Sequence, residues 1–479
     1  MNHSTTAPVP PEPAHGGLDK RRDLLTGDVI GTARVGGAAE AAEAVDRAHA
    51  AFARSLPADV RSRVLARTAE LMEQAAEELA VLIRREVGKP AAAAATEVAR
   101  AITTTRYASE EARRLPGERV PLEATAAGAG VLAVTVPEPR GGVAAITPFN
   151  FPVNLVMHKV APALAAGCPV VLKPSEKAPL SSLRIAELLA EAGLPDGWLE
   201  IVHGPPEPIV DSWLADDRVA VLTFTGSAAV GWDLKARSPR KAHILELGST
   251  SAMYVSREAD LDLARRDAVA AGFGYAGQAC ISLQRLYLDD AIADEFLEGL
   301  ASDVTALPAG DPADPTVVVG PLITQPAALR VESWIHEAQA RGATVLAGGE
   351  RTGSLVTPTL MLGAQPDDKL MSEEVFGPVI SAARVSGTDE AIERINDSRF
   401  GLNTSIYTRD LRAAMRFAEQ VRSGTVLVNM PPSFRADHMP YGGVGDSGQG
   451  REGVRYTIAE MVEMKLVLLS PGGAWEEKR

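Results

Sequence analysis

Hydrophobic and polar positions follow two different periods along the first third of the chain. Over residues 59–85 apolar side chains recur at helical spacing on one face, and a second helix is predicted over 92–114. The pattern then becomes extended, with apolar runs at 131–136 and 143–146 on either side of Pro137-Glu138-Pro139. Two β-prone runs around a proline-rich turn predict a hairpin that projects from the body.

From about residue 170 short apolar runs alternate with helical stretches. The predicted strands are 170–172, 199–202, 219–224 and 243–245, and the predicted helices include 181–192 and 228–237. Such alternation predicts a parallel sheet covered on both faces, as in nucleotide-binding α/β domains. A second alternating block, 252–428, predicts another α/β unit. The final apolar run, 461–469, has no obvious local partner, so we expect it to pair with the hairpin of another subunit.

Composition narrows the class of protein. The chain has 479 residues, 46% of them hydrophobic, and a formal net charge of -14. The acidic balance argues against a nucleic-acid partner, and no apolar run is long enough for a membrane span. Residues 1–22 are predicted to be a flexible tail without a signal peptide. Two cysteines are too few for a disulfide framework, which favours a reducing, cytoplasmic location.

One of the two cysteines lies where a thiol can react. Cys280 follows Gly277-Gln278-Ala279, between the amphipathic run 260–273 and the β-prone run 283–288. A free cysteine is by default a small buried hydrophobe, but a loop between rigid elements can hold a thiol exposed. Cys168, in an apolar helix-to-strand turn, is interpreted as structural.

Two segments that follow predicted strands have the chemistry of ligand loops. In Lys173-Pro174-Ser175-Glu176 the carboxylate can accept ribose hydroxyls, while the lysine and serine can donate to ribose or phosphate. The glycine-containing segment 224–231 opens a helix, so its backbone N–H groups can face a pyrophosphate. It is not G-x-G-x-x-G, and an ordinary strand-to-helix turn explains it equally well.

Two more segments offer catalytic groups. The stiff loop Thr147-Pro148-Phe149-Asn150-Phe151-Pro152 holds one amide, a natural donor to a developing oxyanion. Glu246 ends a predicted strand beside Gly248 and can serve as a general base, although a surface glutamate is the usual explanation.

Taken together, these segments resemble the aldehyde dehydrogenase superfamily over nearly the whole chain. The matching motifs occur in the family's order, and they continue with Glu373-Glu374-Val375-Phe376-Gly377-Pro378, Pro440-Tyr441-Gly442-Gly443 and Ser447-Gly448. The resemblance implies an α/β aldehyde dehydrogenase fold: a Rossmann-type cofactor domain, an α/β catalytic domain and a β-hairpin oligomerisation element. The implied spans are 23–120 and 142–247 for the cofactor domain, 248–454 for the catalytic domain, and 121–141 with 455–479 for the oligomerisation element.

The resemblance also implies a reaction and its residues. An aldehyde would be oxidised to a carboxylic acid through a thioester on Cys280, with Asn150 holding the oxyanion and Glu246 activating water. The implied NAD(P) contacts are Thr147, Pro148, Lys173, Ser175, Glu176, Gly226, Ser227, Leu247, Glu374 and Phe376. No metal is implied, and the assembly would be a homodimer or homotetramer. Glu176 should repel a 2′-phosphate, whereas Lys173 and Ser175 can attract one, and on balance NAD is favoured over NADP.

The substrate is less narrowly defined. The segments 277–285 and 434–443 resemble the branch of lactaldehyde and non-phosphorylating glyceraldehyde-3-phosphate dehydrogenases, which favours a short polar or anionic aldehyde. Phosphate-handling relatives often carry Arg before the cysteine, where this chain has Ala279. Arg100, Arg435 and His438 are candidate substrate contacts, with a solvated helix residue as the alternative for Arg100.

Three further interpretations remain open. Many relatives carry a second glycine where this chain has Ser249, a departure that affects the backbone beside the candidate base. Acyl transfer to coenzyme A is the alternative reaction, although members that perform it generally lack the acid at Glu246. A catalytically silent binding or structural relative is the other alternative.

Overall fold

The computed structural model describes residues 16–470, which form an α/β protein with three principal sheets. Its helices, in chain order, are α1 (Ala38–Ala53), α2 (Ala58–Gln74), α3 (Ala76–Val87), α4 (Ala91–Glu111), α5 (Asn154–Ala166), α6 (Pro179–Glu191), α7 (Pro206–Ala215), α8 (Ala228–Arg237), α9 (Leu261–Phe273), α10 (Ala293–Thr305), α11 (Gln325–Ala340), α12 (Lys369–Ser372), α13 (Thr388–Asn396), α14 (Leu411–Gln420) and α15 (Val454–Met461).

The strands of the first half are β1 (Leu18–Arg22), β2 (Val29–Arg34), β3 (Arg119–Val120), β4 (Leu132–Pro139), β5 (Gly142–Ile146), β6 (Val170–Lys173), β7 (Leu199–Ile201), β8 (Val219–Thr225), β9 (Ala242–Glu246), β10 (Ala252–Val255) and β11 (Arg285–Asp289). Those of the second half are β12 (Thr344–Ala347), β13 (Arg351–Thr352), β14 (Leu355–Val356), β15 (Thr359–Leu362), β16 (Val379–Val385), β17 (Phe400–Gly401), β18 (Asn403–Tyr407), β19 (Thr425–Val428), β20 (Val444–Gly445), β21 (Gly448–Gln449) and β22 (Val462–Leu469).

The first sheet has six strands in the order β21-β9-β8-β5-β6-β7. Strands β5 to β9 are parallel, and β21 runs antiparallel to β9 at one edge. Strand β6 is buried at every position, as expected for a parallel sheet with both faces covered. The chain order reverses at β5, which lies between β6 and β8, so this sheet has the switch point at which open α/β sheets bind ligands.

The register of this sheet brings the predicted ligand loops to one edge. Ile146 at the end of β5 pairs with both Lys173 and Phe224, and Thr225 pairs with Glu246. The two predicted ligand loops and the two segments with candidate catalytic groups therefore lie at the carboxyl ends of four adjacent parallel strands. Residues far apart in the chain converge there because parallel strands end together.

The second sheet has seven strands in the order β12-β15-β16-β11-β10-β18-β19, parallel except for β12. Its largest hydrophobic cluster packs α9, α10 and α11 against these strands. The Cys280 loop lies between α9 and β11, so it is carried by the second sheet and faces the strand ends of the first.

The predicted projecting hairpin is wrong. Strand β4 pairs with β3 and β22 in a separate antiparallel sheet, whereas β5 enters the six-stranded sheet. Pro137 to Pro139 lie within β4 rather than in a turn, since β4 continues to Pro139 opposite Val462. The final strand also has a partner within its own chain: β22 pairs with β4 along its whole length.

Three other predictions are corrected. Residues 18–22 of the predicted tail form β1, paired antiparallel with β2, while residues 1–15 lie outside the described part of the chain. The helix predicted over 59–85 is two helices, because the chain turns at Ala75 between α2 and α3. Strand β21, within the span expected for the catalytic domain, joins the first sheet.

Between residues 16 and 470 no helix is both long and apolar enough to cross a membrane. The same residues contain no cluster of three or more His, Cys, Asp or Glu side chains that could hold a metal ion.

Candidate active site

The loop before Cys280 has an unusual backbone. Tyr275, Ala276 and Gly277 all adopt left-handed conformations, with φ of 51°, 54° and 69°. Only glycine tolerates the last position, because a Cβ at Gly277 would lie 2.1 Å from the carbonyl oxygen of Gly377. Two consecutive non-glycine residues at positive φ are rare and persist only where the surroundings hold them, a feature that concentrates at functional sites.

The Cys280 thiol is half-buried and contacts a tyrosine. Its Sγ lies 3.1 Å from the Oη of buried Tyr441. Burial raises the pKa of the Cys280 thiol to about 11, although the Tyr441 hydrogen bond and the nearby Arg435 charge act in the opposite direction. The resting side chain at neutral pH is therefore a thiol, and a base must remove its proton before it attacks.

Asn150 lies beside the same loop. Its buried Nδ2 donates to the carbonyl oxygen of Gln278 at 2.9 Å, two residues before Cys280. Gln278 is itself held, since its Oε1 accepts from the Ile323 backbone N–H at 2.9 Å. An amide nitrogen has two hydrogens, so one fixes the orientation of Asn150 and the other is available to a further acceptor.

Glu246 ends β9 as a buried carboxyl. Neither of its oxygens has a hydrogen-bond partner among the described residues. Burial, and then the neighbouring charge of Glu452, raise the pKa of Glu246 well above its usual value. The surface-glutamate alternative is thus wrong, and a carboxyl with a raised pKa suits proton transfer near neutral pH.

The contrast with Glu452 explains which carboxyl is ionised. Glu452 is fully buried and accepts from Lys159 Nζ at 2.8 Å and from Arg435 Nη2 at 3.0 Å. Burial alone would raise the pKa of Glu452, but Lys159 and Arg435 hold it below its usual range. The cations therefore favour the anion on Glu452 and the proton on Glu246.

Arg435 stacks on the tyrosine that contacts the thiol. Its guanidinium carbon lies 3.8 Å from the centre of the Tyr441 ring, whose hydroxyl bonds Cys280. Its Nε is buried without a hydrogen-bond partner among the described residues. The guanidinium is thus stacked, buried and incompletely satisfied at the site.

Arg100 and His438 occupy the surrounding shell. Arg100 donates to Asp437 through Nη2 at 2.7 Å and Nε at 3.2 Å, so it is not the solvated helix residue of the alternative interpretation. Asp437 also accepts from buried His158 at 2.9 Å. His438 is exposed, with its ring 5.0 Å from that of Tyr107.

The Lys173 to Glu176 loop carries an internal ion pair. Buried Lys173 bonds Glu176 Oε1, and Ser175 Oγ accepts from the Lys177 backbone N–H at 3.2 Å. On the neighbouring side of β5, Ser227 caps the N-terminus of α8 by accepting from Val230, while Gly226 donates to the Glu246 carbonyl. Ribose acceptors and a helix N-terminus at adjacent strand ends fit a dinucleotide.

Glu374 and Phe376 meet these loops from the second sheet. Glu374 accepts from the Ser249 backbone N–H at 3.0 Å, and burial raises its pKa to about 7. A Cβ at Gly248, the residue after Leu247, would lie 2.8 Å from Glu374 Oε2, so a larger residue there would displace the Glu374 carboxylate. The Phe376 ring lies 6.0 Å from that of Phe149, in the loop that Thr147 and Pro148 begin.

The Ser249-Thr250 departure is accommodated without loss of hydrogen bonds. Ser249 Oγ lies 3.2 Å from Ser251 Oγ, and Thr250 Oγ1 lies 3.2 Å from Ser398 Oγ. Both side chains are buried, so the backbone after Glu246 is more constrained here than a second glycine would leave it.

Sequence patterns missed Tyr441, Lys159 and Glu452 as site residues. A lysine in the wholly buried helix α5 is itself a signal, because lysine is almost never buried unless paired. Tyr441 was part of a recognised motif, but only the fold shows that its hydroxyl reaches Cys280. Glu452 had no local signal.

A doubly wound sheet with ligand loops at its strand ends, facing a thiol loop on a second sheet, is the arrangement of a nucleotide-dependent enzyme. The model of the aldehyde dehydrogenase family matches residues 18–467, and the chain belongs to that family. It is an NAD(P)-dependent aldehyde dehydrogenase, which confirms the predicted family, fold and enzyme class.

The relatives and solved structures agree with this assignment. A 3-sulfolactaldehyde dehydrogenase of Priestia megaterium is 42% identical over 410 residues, 86% of each chain. Aldehyde dehydrogenase 21 from Physcomitrella patens, solved with its product succinate, has a TM-score of 0.93 at 36% identity and covers 96% of both chains. The NADP complex of glyceraldehyde-3-phosphate dehydrogenase GapN from Methanocaldococcus jannaschii has a TM-score of 0.90 at 35% identity, covering 94% of this chain and 99% of that one.

Proposed function

We propose that this enzyme oxidises a short aldehyde carrying an anionic group, such as a sulfonate or carboxylate, to the corresponding acid. The proposal rests on the balance of charges near the thiol, where Lys159 and Arg435 share one ionised carboxylate, Glu452. Because its raised pKa keeps Glu246 protonated, one positive charge remains in excess. A buried excess charge next to the nucleophile attracts a small anion.

Substrate names among the relatives fit this charge. The Priestia relative is named for 3-sulfolactaldehyde, and the Physcomitrella structure holds succinate. In this chain Arg435 takes the anionic group, with Arg100 and His438 around it. Ala279 disfavours a phosphate, because the second guanidinium that would balance its larger charge is missing.

The chemistry begins at Cys280. Its thiol loses a proton and its sulfur bonds the aldehyde carbon, while the carbonyl electrons move to the oxygen. The second N–H of Asn150 and the Cys280 backbone N–H stabilise that oxyanion. NAD(P)+, when bound, accepts the hydride. Thr147, Pro148, Lys173, Ser175, Glu176, Gly226, Ser227, Leu247, Glu374 and Phe376 would hold it.

Glu246 then serves the thioester on Cys280. Its carboxylate takes a proton from water, the water oxygen bonds the acyl carbon, and the carbon–sulfur bond breaks to release acid and thiolate. The buried carboxyl favours this hydrolysis over transfer to coenzyme A. Formation of the free acid without coenzyme A tests that choice.

NAD is the preferred cofactor. Glu176 accepts ribose hydroxyls well but repels a 2′-phosphate, and Lys173, already paired with Glu176, compensates only partly. We expect kcat/KM to be higher with NAD than with NADP. A higher value with NADP would overturn the preference.

The substrate proposal is tested with matched aldehydes. Succinate semialdehyde and butyraldehyde have four carbons each and differ in charge. Arg435→Met should lower kcat/KM about 100-fold for the anion and much less for the neutral aldehyde, since a buried charged hydrogen bond is lost only with the anion. Arg100→Met is the matched control, with a smaller loss because Asp437 already neutralises Arg100. Equal losses on both aldehydes for Arg435→Met would refute the anion role.

The assembly is a homodimer or homotetramer formed through β22. This edge strand exposes Met464, Leu466, Leu468 and Leu469, and its neighbour β4 exposes Leu132 and Val136. An apolar sheet edge of this size favours a second copy. Light scattering of Leu466→Glu/Leu468→Glu should show a smaller species than the wild type, and an unchanged mass would refute this interface.

A further inference from the structure

A buried ion pair outside the groups described so far touches both catalytic loops. Lys89 follows Gly88 in the turn between α3 and α4, and Glu97 is the seventh residue of α4. Both side chains are fully buried, and Lys89 Nζ bonds Glu97 Oε2. Neither residue was singled out by sequence patterns.

Glu97 holds the segment after Asn150. Its Oε1 accepts from the backbone N–H of Val153 at 2.8 Å and of Asn154 at 3.1 Å. These N–H groups open α5, where a helix has unsatisfied donors and a positive dipole end. One carboxylate therefore fixes the chain three residues after the amide that receives the oxyanion.

Lys89 joins that segment to the thiol loop. Its ammonium lies 3.7 Å from the centre of the Phe151 ring and 4.5 Å from that of Tyr275. Phe151 directly follows Asn150, and Tyr275 begins the left-handed run that leads to Cys280. Cation–π attraction to both rings places one charge between the two loops.

The turn around Lys89 also holds Tyr275 from its other end. The Tyr275 hydroxyl donates to the Val87 carbonyl at 3.3 Å, and the Phe151 and Tyr275 rings meet edge to face at 6.3 Å. Tyr275 is thus restrained at both its ring face and its hydroxyl, at a backbone conformation that is costly for tyrosine. The restraint continues to Gln278, whose carbonyl accepts from Asn150.

Stability alone does not account for such a pair. Removing two charges from water is expensive, and a buried ion pair is often no more stable than apolar side chains of similar volume. Here the carboxylate has backbone donors that an apolar residue could not satisfy, and the ammonium has two aromatic faces. These contacts constrain the positions of the two loops that the pair joins.

We propose that Lys89 and Glu97 are positioning residues that set the Asn150 amide against the Cys280 loop at the distance the oxyanion requires. This inference rests on the proposed role of Asn150, through which the pair acts. Loosening the pair should slow formation of the thioester and leave the binding of aldehyde and cofactor nearly unchanged, because both side chains are fully buried.

The test is a double-mutant cycle on the rate of the first turnover. The variant Lys89→Met/Glu97→Gln removes both charges together, so no unpaired charge is left buried. At saturating aldehyde and NAD, we expect its NADH burst rate to fall about 10-fold or more, with KM values within about 3-fold. Asn150→Ala alone should lower the burst about 100-fold, as for the loss of an oxyanion donor.

The decisive measurement is the triple variant. If the pair acts through Asn150, removing it in the Asn150→Ala background should change the burst by less than about 2-fold. Multiplied losses would show that the pair supports the fold in general and would overturn the proposal. An unchanged burst in the folded double variant would overturn it as well.

Two controls make the result specific. Glu86→Gln is the matched variant, because buried Glu86 accepts the Leu180 and Ser181 N–H groups at the N-terminus of α6 in the same manner, yet contacts neither catalytic loop. It should leave the burst rate unchanged at saturating NAD. If the double variant does not fold, Phe151→Leu removes one ring and keeps the ion pair. Its smaller loss should likewise vanish in the Asn150→Ala background, and persistence there would overturn the proposal.

The same data separate this inference from the proposed function. A normal burst in Asn150→Ala would refute the oxyanion role of Asn150, and the inference would fail with it. A slow Asn150→Ala burst with multiplied losses in the triple variant would refute the pair alone.

Discussion

The resting state of Cys280 gives a quantitative prediction. Burial raises the pKa of its thiol to about 11, against an ordinary value of 9.0. Only the thiolate reacts with alkylating agents, so the rate of alkylation measures the ionised fraction. The perturbation is pH, applied to the enzyme without cofactor or substrate.

The magnitude follows from the two pKa values. At pH 8 an ordinary thiol is about 10% ionised, whereas a thiol of pKa about 11 is about 0.1% ionised, a difference of about 100-fold. The rate should rise about tenfold for each pH unit and show no plateau below pH 10. The hydrogen bond from Tyr441 lowers the Cys280 pKa, so its loss in Tyr441→Phe should raise that pKa and slow the reaction further.

The assay is inactivation by iodoacetamide, with mass spectrometry to locate the modified cysteine. Cys168 is an internal control: it is fully buried, its pKa is also raised by burial to about 11, and it should remain unmodified in the folded protein. A plateau reached near pH 7 would show that Cys280 rests as a thiolate. That result would refute the inference that a base must first remove its proton.

Two more predictions concern stability. Burial raises the Glu86 pKa from 4.5 to about 7, so its stabilising contribution is complete below pH 4.5 and is lost as pH rises through 7. The Glu86→Gln variant has no titrating group at this position. Chemical denaturation should therefore show that the free energy of unfolding of the wild type, relative to that of the variant, falls by about 2–3 kcal/mol between pH 5 and 8. A difference that stays constant with pH would contradict the raised pKa. Gly277→Ala should cost more than about 2 kcal/mol and most of the activity, because its Cβ would meet the Gly377 carbonyl in addition to the positive φ. Gly353→Ala, with φ of 62° and open space around it, should cost only about 1 kcal/mol, and equal losses for the two would contradict the steric argument.

Much of the first sheet could be predicted because its strands are short, mostly apolar and separated by helices. Strand β6 is buried at every position, and its one polar residue, Lys173, is the last of the strand. Motif positions were predictable for the same reason: a polar group that follows an apolar strand must lie at the sheet edge. The convergence of Asn150, Lys173, Gly226 and Glu246 at one edge then followed from parallel topology.

Pairing between distant strands was not predictable. Apolar runs at β4 and β5 are adjacent in sequence, and local pattern alone favours a hairpin, but β4 gains a longer partner in β22. The local pattern carries no information about the energy of an eight-residue antiparallel ladder, because the partner strand lies about 330 residues away in the chain. The same limit hid Glu97 and Lys89, whose neighbours belong to loops far along the chain.

The charges at the thiol illustrate why a site cannot be assembled from motifs alone. Asn150, Glu246 and Cys280 are each visible in sequence, but the protonation of Glu246 depends on Lys159, Arg435 and Glu452. Two cations hydrogen-bond Glu452 and none bonds Glu246, so one carboxyl is ionised and the other holds a proton.

The protonation of Glu246 affects both the entry of the aldehyde and the later hydrolysis. A protonated Glu246 leaves the excess positive charge in place when an anionic aldehyde enters, and it cannot act as a base until it releases its proton. Release is favoured by the same Arg435 and Lys159 charges, which lower the Glu246 pKa against the effect of burial. In the proposed complex, a substrate anion bound to Arg435 would weaken that effect. Substrate charge and the basicity of Glu246 are therefore coupled through one guanidinium, so the pH dependence of turnover should differ between anionic and neutral aldehydes.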